Sequence, residues 1–456
     1  MTNQPPEPLP LRFIHTADIH LDSPLRGLSA YPDAPAEQLR GATREAFRQL
    51  VTLAIEERVD FIVIAGDLYD GDWPDFNTGL FFCAEMGRLQ RSGIPAFVLF
   101  GNHDAESHMT RALRLPDNVR RFSANGCEVH RLEHLKVALH GRSFKKRDTP
   151  ENLLTSYGEP LRGWVNIGVL HTALEGHADH ASYAPCTLEQ LHAKGYDYWA
   201  LGHVHEHRVW TGRSTICFPG NLQGRSIRET GRRGAVLVTI EDDAPPQLER
   251  LYLDVLRWEH VVVDVSACDS LDALGRATGR ALARLLEEDA QVPRALRLTL
   301  QGETGLHGEL FQRGGELRAH VLAEIAARGP DRFWLEKVRL ATRPAAVMAD
   351  SLQPDPLQPG SIQPGSIPPG EQPPGAVPPG SDALADLQAL LAEARHDADL
   401  LQELRADFAQ MLGKAPELAT VAGAELPLLR QVREGDLAAL FDQVLPGLLA
   451  RLAARG

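Results

Sequence analysis

Apolar runs alternate with helical patterns along the first hundred residues of the chain. Three runs of mostly aliphatic and aromatic residues, 11–16, 61–65 and 96–100, each lead into a polar turn, as buried strands do. Between them, apolar residues recur every three or four positions over residues 36–57 and 78–90, which predicts two helices. The order strand, helix, strand, helix, strand indicates a parallel α/β layer.

The strand pattern continues with shorter segments up to about residue 255. We predict these strands at residues 137–141, 165–170, 198–201, 207–211, 215–218, 235–240 and 248–254. A separate β-α-β-α-β pattern then spans residues 258–342 and contains no cluster of metal-type ligands. It predicts a small α+β domain that binds or shapes rather than catalyses.

The last quarter of the chain differs in composition from the rest. Residues 351–380 contain ten prolines in repeated Pro-Gly units, and such segments favour extended linker conformations. Beyond them, apolar residues from Leu384 to Met411 recur at helical spacing, and Asp436 can cap a second helix. Two short amphipathic helices cannot form a large core, so we expect them to dock on the body of this chain or on a partner.

These changes of pattern divide the chain into four predicted regions. They are a catalytic domain at residues 1–255, an α+β domain at 256–345, a Pro/Gly-rich flexible linker at 346–381 and a helical region at 382–456.

Size and composition are those of a globular protein. With 456 residues and 43% hydrophobic content, the chain can bury more than one core. Its five cysteines include no Cys-x-x-Cys pair, which argues against a thiolate zinc site and indicates a reducing compartment. No stretch approaches the roughly 18 apolar residues of a membrane helix, and residues 1–10 show no export signal. We therefore expect a cytoplasmic protein without a membrane partner.

The net charge of −14 argues at first against a nucleic-acid ligand, because phosphate binding uses lysine and arginine. Part of this charge lies at the C-terminus, where residues 351–456 contain 14 Asp and Glu against 7 Lys and Arg. Basic stretches remain at residues 142–147 and 213–233. Such runs are often only solvated surface, so the charge pattern leaves an anionic ligand open.

Side chains of metal-binding types follow five of the predicted strands. Asp18 and His20 flank one residue, as do His203 and His205, and residues at this spacing in an extended segment project to the same side. The complete set is Asp18, His20, Asp67, Asn102, His171, His203 and His205. Carboxylate, imidazole and amide ligands favour Mn, Fe, Zn or Co over calcium, and Asp67 can bridge two ions about 3.5–4 Å apart.

The charge balance of this set indicates a reaction class. Two divalent ions bring more positive charge than Asp18 and Asp67 offset, which leaves room for an anionic phosphate substrate and predicts phosphoester hydrolysis. His103 is a spare imidazole that can protonate the leaving oxygen. We predict that Asp104 fixes the orientation of His103 and raises its pKa through its negative charge.

Other polar residues carry weaker predictions. Asp22, His15 and Asp70 are candidates for supporting the ligands, although turn or cap roles explain them equally well. The histidines and the aspartate of residues 177–180 lie in a polar loop with no further carboxylate or cysteine suitably placed. We therefore do not expect a dedicated metal there.

Taken in order, the motifs Asp-x-His, Gly-Asp-x-x-Asp, Gly-Asn-His-Asp, His and Gly-His-x-His resemble the calcineurin-like metallophosphoesterase superfamily. Within it, the chain is similar to the SbcD and YhaO-type nuclease subunits of DNA double-strand-break repair complexes. The closest resemblance lies in FIHTADIHLDSPL at residues 13–25, YAPCTLEQLHAKGYDYWALGHVH at 183–205 and PGNLQGRSIRETG at 219–231.

The resemblance implies a fold, a ligand assignment and partners. It implies a four-layer metallophosphoesterase β-sandwich flanked by helices, with a small α+β capping domain and C-terminal helices that bind the coiled-coil base of an SMC-like ATPase. His103 matches the catalytic histidine, and the expected metal is manganese. By the same resemblance, one ion takes Asp18, His20, Asp67 and His205, and the other takes Asp67, Asn102, His171 and His203.

The function implied is that of a Mn-dependent DNA nuclease acting in DNA repair, associated with the nucleoid, with a homodimer left open. Some nucleases of the family have a histidine where this chain has Asp70, so the polarity of an exonuclease is not fixed by the sequence. Two alternatives remain. One is a metallophosphatase or cyclic-nucleotide phosphodiesterase of the same superfamily, and the other is a mainly structural subunit of a repair complex.

Overall fold

A computed structural model of the protein describes residues 10–23, 36–71, 76–105, 113–174, 183–241 and 244–345, together with positions 397, 401, 402 and 404. The strands are β1 (Leu11–Thr16), β2 (Phe61–Ala65), β3 (Ala96–Leu99), β4 (Val119–Arg121), β5 (Glu128–Leu132), β6 (Val137–Gly141), β7 (Val165–His171), β8 (Tyr198–Gly202), β9 (Arg208–Trp210), β10 (Thr215–Phe218), β11 (Gly234–Ile240), β12 (Gln247–Tyr252), β13 (Arg257–Asp264), β14 (Arg294–Thr304) and β15 (Phe333–Pro344). The helices are α1 (Ala36–Glu56), α2 (Asn77–Arg91), α3 (Leu188–Ala193), α4 (Leu271–Glu288), α5 (His307–Gln312) and α6 (Gly314–Arg328), with a 3₁₀ turn at Leu153–Ser156.

The strands between residues 11 and 252 form two six-stranded sheets. The first has the order β12-β11-β1-β2-β3-β4, and the second has the order β5-β6-β7-β8-β10-β9. Strands β1, β2 and β3 are parallel neighbours, and so are β6, β7 and β8. The carboxyl ends of three strands therefore meet at one edge of each sheet. A third sheet has the order β13-β14-β15.

Apolar side chains of the two six-stranded sheets form a shared core. Phe13, Phe61 and Phe97 of the first sheet lie in one buried cluster with Ile167 and Tyr198 of the second. The rings of Phe13 and Phe61 stack at 4.8 Å between centroids. Since one face of each sheet is buried in this cluster, the two sheets form a sandwich.

The outer faces of the sandwich are covered by helical segments. Phe47 of α1 and Phe82 of α2 pack with Ile64 on the outer face of the first sheet. Leu191 of α3 packs with Trp199 on the outer face of the second sheet, in a cluster that also contains the 3₁₀ turn. The order helices, sheet, sheet, helix confirms the four-layer α/β sandwich predicted from the sequence.

His15 links the two sheets and is a structural residue. Its Nδ1 lies 2.9 Å from the Tyr198 hydroxyl and its Nε2 lies 3.1 Å from the Leu201 carbonyl oxygen, both on β8. Burial lowers the pKa of His15 to about 3, so the ring stays neutral at ordinary pH. Its hydrogen bonds tie β1 to β8 close to the ends of both strands.

By its internal contacts the chain divides into two compact units. The first comprises the described residues of 10–261, 285–298 and 329–337, and the second comprises 262–284, 299–328 and 338–345. In the second unit, α4 and α6 bury Leu274, Leu282 and Val321. The predicted β-α-β-α-β order over residues 258–342 agrees with the observed elements, except that two helices, α5 and α6, stand in place of the second predicted helix.

The differences from the predicted elements have local causes. The helix predicted over 308–327 is interrupted because Arg313 leaves the helical conformation and two glycines, which are poor helix formers, follow it. Strands β4 and β5 and helix α3 were not predicted, since each is short and only partly buried. The predicted linker at 346–381 and nearly all of the helical region at 382–456 lie outside the described residues.

Candidate metal centre

Four of the seven predicted ligands lie at the carboxyl edge of the first sheet. Asp18 and His20 follow β1, Asp67 follows β2, and Asn102 follows β3. The Asp18 N–H donates to the Gly66 carbonyl at 3.0 Å, and the His20 N–H donates to the Asp67 carbonyl at 3.0 Å. These backbone bonds hold the turns after β1 and β2 side by side.

The remaining ligands come from the second sheet and meet the first set directly. His171 ends β7, and His203 and His205 follow β8. The His203 N–H donates to both carboxylate oxygens of Asp18, at 3.1 and 3.0 Å. His171 Nδ1 donates to the carbonyl oxygen of Ala65 on β2 at 3.0 Å. The two sheet edges therefore form one site.

The backbone at this site is strained in a way that only the surrounding structure can maintain. Asp18, His20, Asp67 and His203 all have positive φ, at 50°, 48°, 51° and 102°. Each such residue costs on the order of 1–3 kcal/mol, and strain of this kind clusters at functional sites. These four residues, which lie in the turns after β1, β2 and β8, thus hold conformations that place side chains at the site rather than minimise local energy.

Glycines in the motifs leave the space that the ligands occupy. A Cβ on Gly101 would lie 2.2 Å from Asp67 Oδ1 and 2.9 Å from His171 Nε2. A Cβ on Gly66 would lie 2.2 Å from His171 Nδ1, and one on Gly202 would lie 1.9 Å from the Ala65 carbonyl oxygen. The Gly-Asp, Gly-Asn and Gly-His dipeptides therefore have a steric purpose, because any side chain in place of hydrogen would displace a ligand.

Two groups of donor atoms converge, which we call the first and the second ligand group. In the first, ligand atoms of Asp18, His20 and His205 lie within 4.8 Å of one another, and the Nε2 atoms of the two histidines are 3.3 Å apart. In the second, the same limit holds for Asp67, His171 and His203. Both groups combine carboxylate and imidazole donors, as transition metals prefer.

Asn102 adjoins the second ligand group. Its Oδ1 lies 2.9 Å from His171 Nε2, and its side chain is buried. All seven residues that the sequence predicted as ligands therefore lie close together at this site.

Asp67 stands between the two ligand groups. Its Oδ2 lies 3.9 Å from His20 Nε2 in the first group and 3.4 Å from His171 Nε2 in the second. Its Oδ1 accepts a hydrogen bond from the His103 N–H at 3.1 Å. One carboxylate oxygen is thus available to both groups at once, as a bridging ligand requires.

The orientations of two ligand imidazoles fit metal binding. His205 Nδ1 donates to Glu229 Oε1 at 2.7 Å, and His171 Nδ1 donates to the Ala65 carbonyl. Both bonds fix the ring with Nε2 facing the site, which is the orientation of metal-ligating histidines. Asp18 and Asp67 are buried side by side, and two such carboxylates need a compensating cation. The residues present fit two divalent ions.

Electrostatic coupling inside the site is strong. Burial alone would raise the pKa of Asp67, but the neighbouring imidazoles of His171 and His20 hold that pKa well below its usual range. Burial lowers the pKa of His171, but the charge of Asp67 outweighs this effect and raises that pKa to about 9. Burial raises the pKa of Asp18 and lowers that of His20. Without a cation, Asp67 therefore relies on the histidines for compensating charge.

The structure corrects the prediction for Asp104. Its carboxylate accepts backbone N–H bonds from Leu68 at 3.1 Å, Tyr69 at 2.8 Å and Gly101 at 3.0 Å, so both oxygens are used in fastening two turns together. Burial and the charge of Asp67 raise the pKa of Asp104 to about 7, although these backbone bonds favour its ionised form. Asp104 shapes the loop that carries His103 instead of contacting its ring.

The carboxylate that orients His103 is that of Asp70. His103 Nδ1 lies 2.7 Å from Asp70 Oδ1, and Asp70 Oδ2 accepts a hydrogen bond from the Ser23 hydroxyl at 2.6 Å. Burial lowers the pKa of His103, but the Asp70 hydrogen bond and the Asp67 charge outweigh it and raise that pKa above its usual value. A further set of close donors, His20, Asp70 and His103, shares one residue with the first ligand group.

Sequence reasoning missed Glu229 and the role of Arg225. Glu229 receives the His205 ring bond, and it also accepts from the Arg225 backbone N–H at 2.7 Å and from the Asn221 amide at 3.0 Å. The Arg225 guanidinium lies 3.0 Å from Glu229 and 3.7 Å from Asp70. It thus joins the carboxylates that orient His205 and His103. The available signal was the resemblance of the stretch at residues 219–231 to the family.

Asp22 has a structural role in this structure. It accepts hydrogen bonds from Arg44 of α1, at 2.7 Å to Nε, and from Thr78 of α2, at 2.5 Å. It therefore fastens two helices to the turn after β1, in line with its alternative interpretation as a turn residue.

The polar loop at 177–180 lies outside the described residues. Among the helices that the structure describes, none is long and apolar enough to span a membrane.

Two protein families match the chain over the regions described above. The calcineurin-like phosphoesterase family matches residues 11–207, which include all seven predicted ligands, and the middle domain of the metallophosphoesterase YhaO matches residues 258–343. The chain is also 35% identical over 297 residues to the uncharacterized metallophosphoesterase YhaO of Bacillus subtilis, a match that covers 64% of this chain and 72% of that protein. The chain belongs to the calcineurin-like metallophosphoesterases, and within them to the YhaO family. The resemblance read from the sequence motifs is confirmed.

More distant matches extend the comparison. The chain is 28% identical over 264 residues to the DNA double-strand break repair protein Mre11 of Sulfurisphaera tokodaii, and this match covers 55% of the chain and 65% of that protein. Among solved structures, a dimetal phosphatase from Danio rerio is 13% identical with a TM-score of 0.32, covering 53% of this chain and 99% of that one. The family assignment rests on the sequence matches.

Replacing Glu229 tests the coupling between the ligands and their supporting network. Glu229→Gln keeps the size of the side chain but removes the negative charge that contacts the His205 ring and the Arg225 guanidinium. We expect Mn²⁺ affinity at one of two sites to fall about 10–100-fold while the other site changes little, because loss of an outer partner of a metal-ligating histidine has this effect. Calorimetric titration of the metal-free protein measures both sites. Glu133→Gln, in the exposed turn between β5 and β6, is the matched control. Equal weakening of both sites would contradict the assignment of Glu229 to one group.

Proposed function

We propose that this chain is a manganese-dependent DNA nuclease that hydrolyses phosphodiester bonds with water activated by two metal ions. The observation that carries the proposal is the position of Asp67, whose Oδ2 lies within 3.9 Å of imidazole nitrogens in both ligand groups. The His103–Asp70 pair stands beside this carboxylate. Paired cations next to an oriented imidazole are the requirements for attack on a phosphoester and departure of its alcohol.

The groups at the site have separate roles in the proposed hydrolysis. Bound divalent cations supply charge neutralisation on the phosphate oxygens and a more acidic attacking water. His103, held at Nδ1 by Asp70, gives a proton to the departing sugar oxygen, and its raised pKa keeps that proton available near neutral pH. Asp70 is a positioning residue that acts through His103. Arg225 and Glu229 play the same part for His205.

The choice of DNA as substrate has separate support. The relative from Sulfurisphaera tokodaii is named for DNA double-strand break repair, and the motif stretches of this chain resemble nuclease subunits of repair complexes. The metallophosphatase and cyclic-nucleotide alternatives share the metal centre and differ in substrate. Mn²⁺-loaded protein assayed on single-stranded, double-stranded and hairpin DNA, beside a cyclic nucleotide and p-nitrophenyl phosphate monoesters and diesters, separates them. We expect DNA and the diester to be cleaved in preference to the monoester.

The acid role of His103 leads to a prediction about leaving groups. His103→Ala should retain both metal ions and lower the rate of DNA cleavage by about 10²–10⁴-fold, because the sugar alkoxide needs a proton. Hydrolysis of bis(p-nitrophenyl) phosphate should fall much less, since p-nitrophenolate leaves without one. Asp70→Asn should show the same selectivity with a smaller loss. Parallel initial rates and metal analysis measure these effects.

Two outcomes would contradict the proposed role of His103. An equal loss on both substrates, or an emptied metal site in folded His103→Ala protein, would show that His103 supports the metal centre and is not the acid.

We also propose that an SMC-like ATPase binds residues 382–456, which lie almost entirely outside the described residues. The support is the apolar stripe from Leu384 to Met411, together with the resemblance to subunits that have such a partner. The proline-rich segment would then tether the nuclease to the ATPase.

Truncation after Ala345 tests the partner proposal. The shortened protein should keep its metal ions and its basal nuclease activity, and lose stimulation by ATP in the presence of a purified SMC-like ATPase of the same organism. A lowered melting temperature of the truncated protein alone, with its partner binding unchanged, would show instead that these helices pack on the chain itself.

A further inference from the structure

A short basic loop follows β6 and is anchored at the metal centre. We call residues 142–148 the basic loop. Lys145, Lys146 and Arg147 are exposed, and the adjacent Asp148, also exposed, is the one acidic residue in the loop. In a chain of net charge −14, this is a local excess of positive charge. The position of the loop decides whether that excess is only solvated surface.

The first half of the loop is fixed to the strand that leads to Asn102. Ser143 Oγ accepts from the Phe100 N–H at 3.0 Å and donates to the Phe122 carbonyl at 2.8 Å. The Phe144 N–H donates to the Phe100 carbonyl at 2.9 Å. Phe144 is buried, and its ring meets that of the ligand His171 edge-on at 5.5 Å between centroids. The loop is therefore packed directly against a ligand of the metal centre.

The second half of the loop is fixed as well. The Thr149 hydroxyl donates to the Lys146 carbonyl at 3.0 Å, and the Thr149 carbonyl accepts from the Ala184 N–H at 2.7 Å. Lys145, Lys146 and Arg147 therefore lie between two anchors, and the first anchor, Phe144, packs on the ligand His171.

We propose that the basic loop binds phosphates of the DNA backbone that flank the phosphate being cleaved. This inference rests on the proposed function and names a contact surface for its substrate. The scissile phosphate is charge-balanced by the metal centre, whereas the neighbouring phosphates of a polynucleotide need cations outside it. Contacts of this kind fix the position of a strand without reading its sequence. They also predict weak dependence on DNA sequence and strong dependence on salt.

The test removes two charges from the loop and two from elsewhere. Lys145→Gln/Lys146→Gln is compared with Arg58→Gln/Arg91→Gln, whose exposed side chains precede β2 and β3 at the opposite end of the parallel strands. The loop variant should bind DNA at least about tenfold more weakly at low salt, and the slope of log affinity against log salt should fall by roughly one per lost contact. The control variant should match the unmodified protein. Turnover of bis(p-nitrophenyl) phosphate, which has no flanking phosphate, should stay within about twofold for both.

The outcomes separate this inference from the function on which it rests. If the loop variant binds DNA with the affinity and salt slope of the unmodified nuclease, the inference is wrong and the nuclease proposal stands. An equal loss of activity on the small diester would also overturn it, because the loop would then only support the metal centre. If the unmodified protein hydrolyses the small diester but neither binds nor cleaves DNA, the proposed function fails and the inference falls with it.

Discussion

The burial of two carboxylates among imidazoles, where two sheet edges meet, is the constraint on which the site depends. Asp18 and Asp67 are almost inaccessible to solvent, and each is in contact with groups from the opposite sheet. An arrangement of this kind is costly without cations, so stability and function act in opposite directions here. The sandwich core and the His15 link compensate by fixing the two sheets against each other. A bound metal pair would turn the costly arrangement into a favourable one.

Much of the fold could be predicted because hydrophobic periodicity reports on burial. The strands with fully buried patterns, such as β2 and β8, were located to within a residue. The less buried β4 and β5 were missed, since their sequences carry no such signal. The ligands were predictable for a related reason: each lies at the carboxyl end of a buried strand or a few residues beyond it, and the carboxyl ends of parallel strands come together whatever the details of the connecting segments.

The supporting residues could not be predicted in the same way. Asp70 and Asp104 are both acids close in sequence to a predicted ligand or acid, and only the turn geometry decides which of them meets the His103 ring. Glu229 reaches His205 from 24 positions away in the chain, through a hydrogen-bond network with Arg225 and Asn221. Such roles depend on the direction of individual side chains in irregular loops. Spacing along the sequence contains little information on that direction.

The most direct test of the account is the location of metal ions in crystals grown with Mn²⁺. Anomalous scattering should show two ions per chain, about 3.5–4 Å apart, on either side of Asp67, with the first near His20 and His205 and the second near His171 and His203. A single ion, or an ion held by His20, Asp70 and His103, would contradict the account, because His103 would then be a ligand and Asp67 would not be shared.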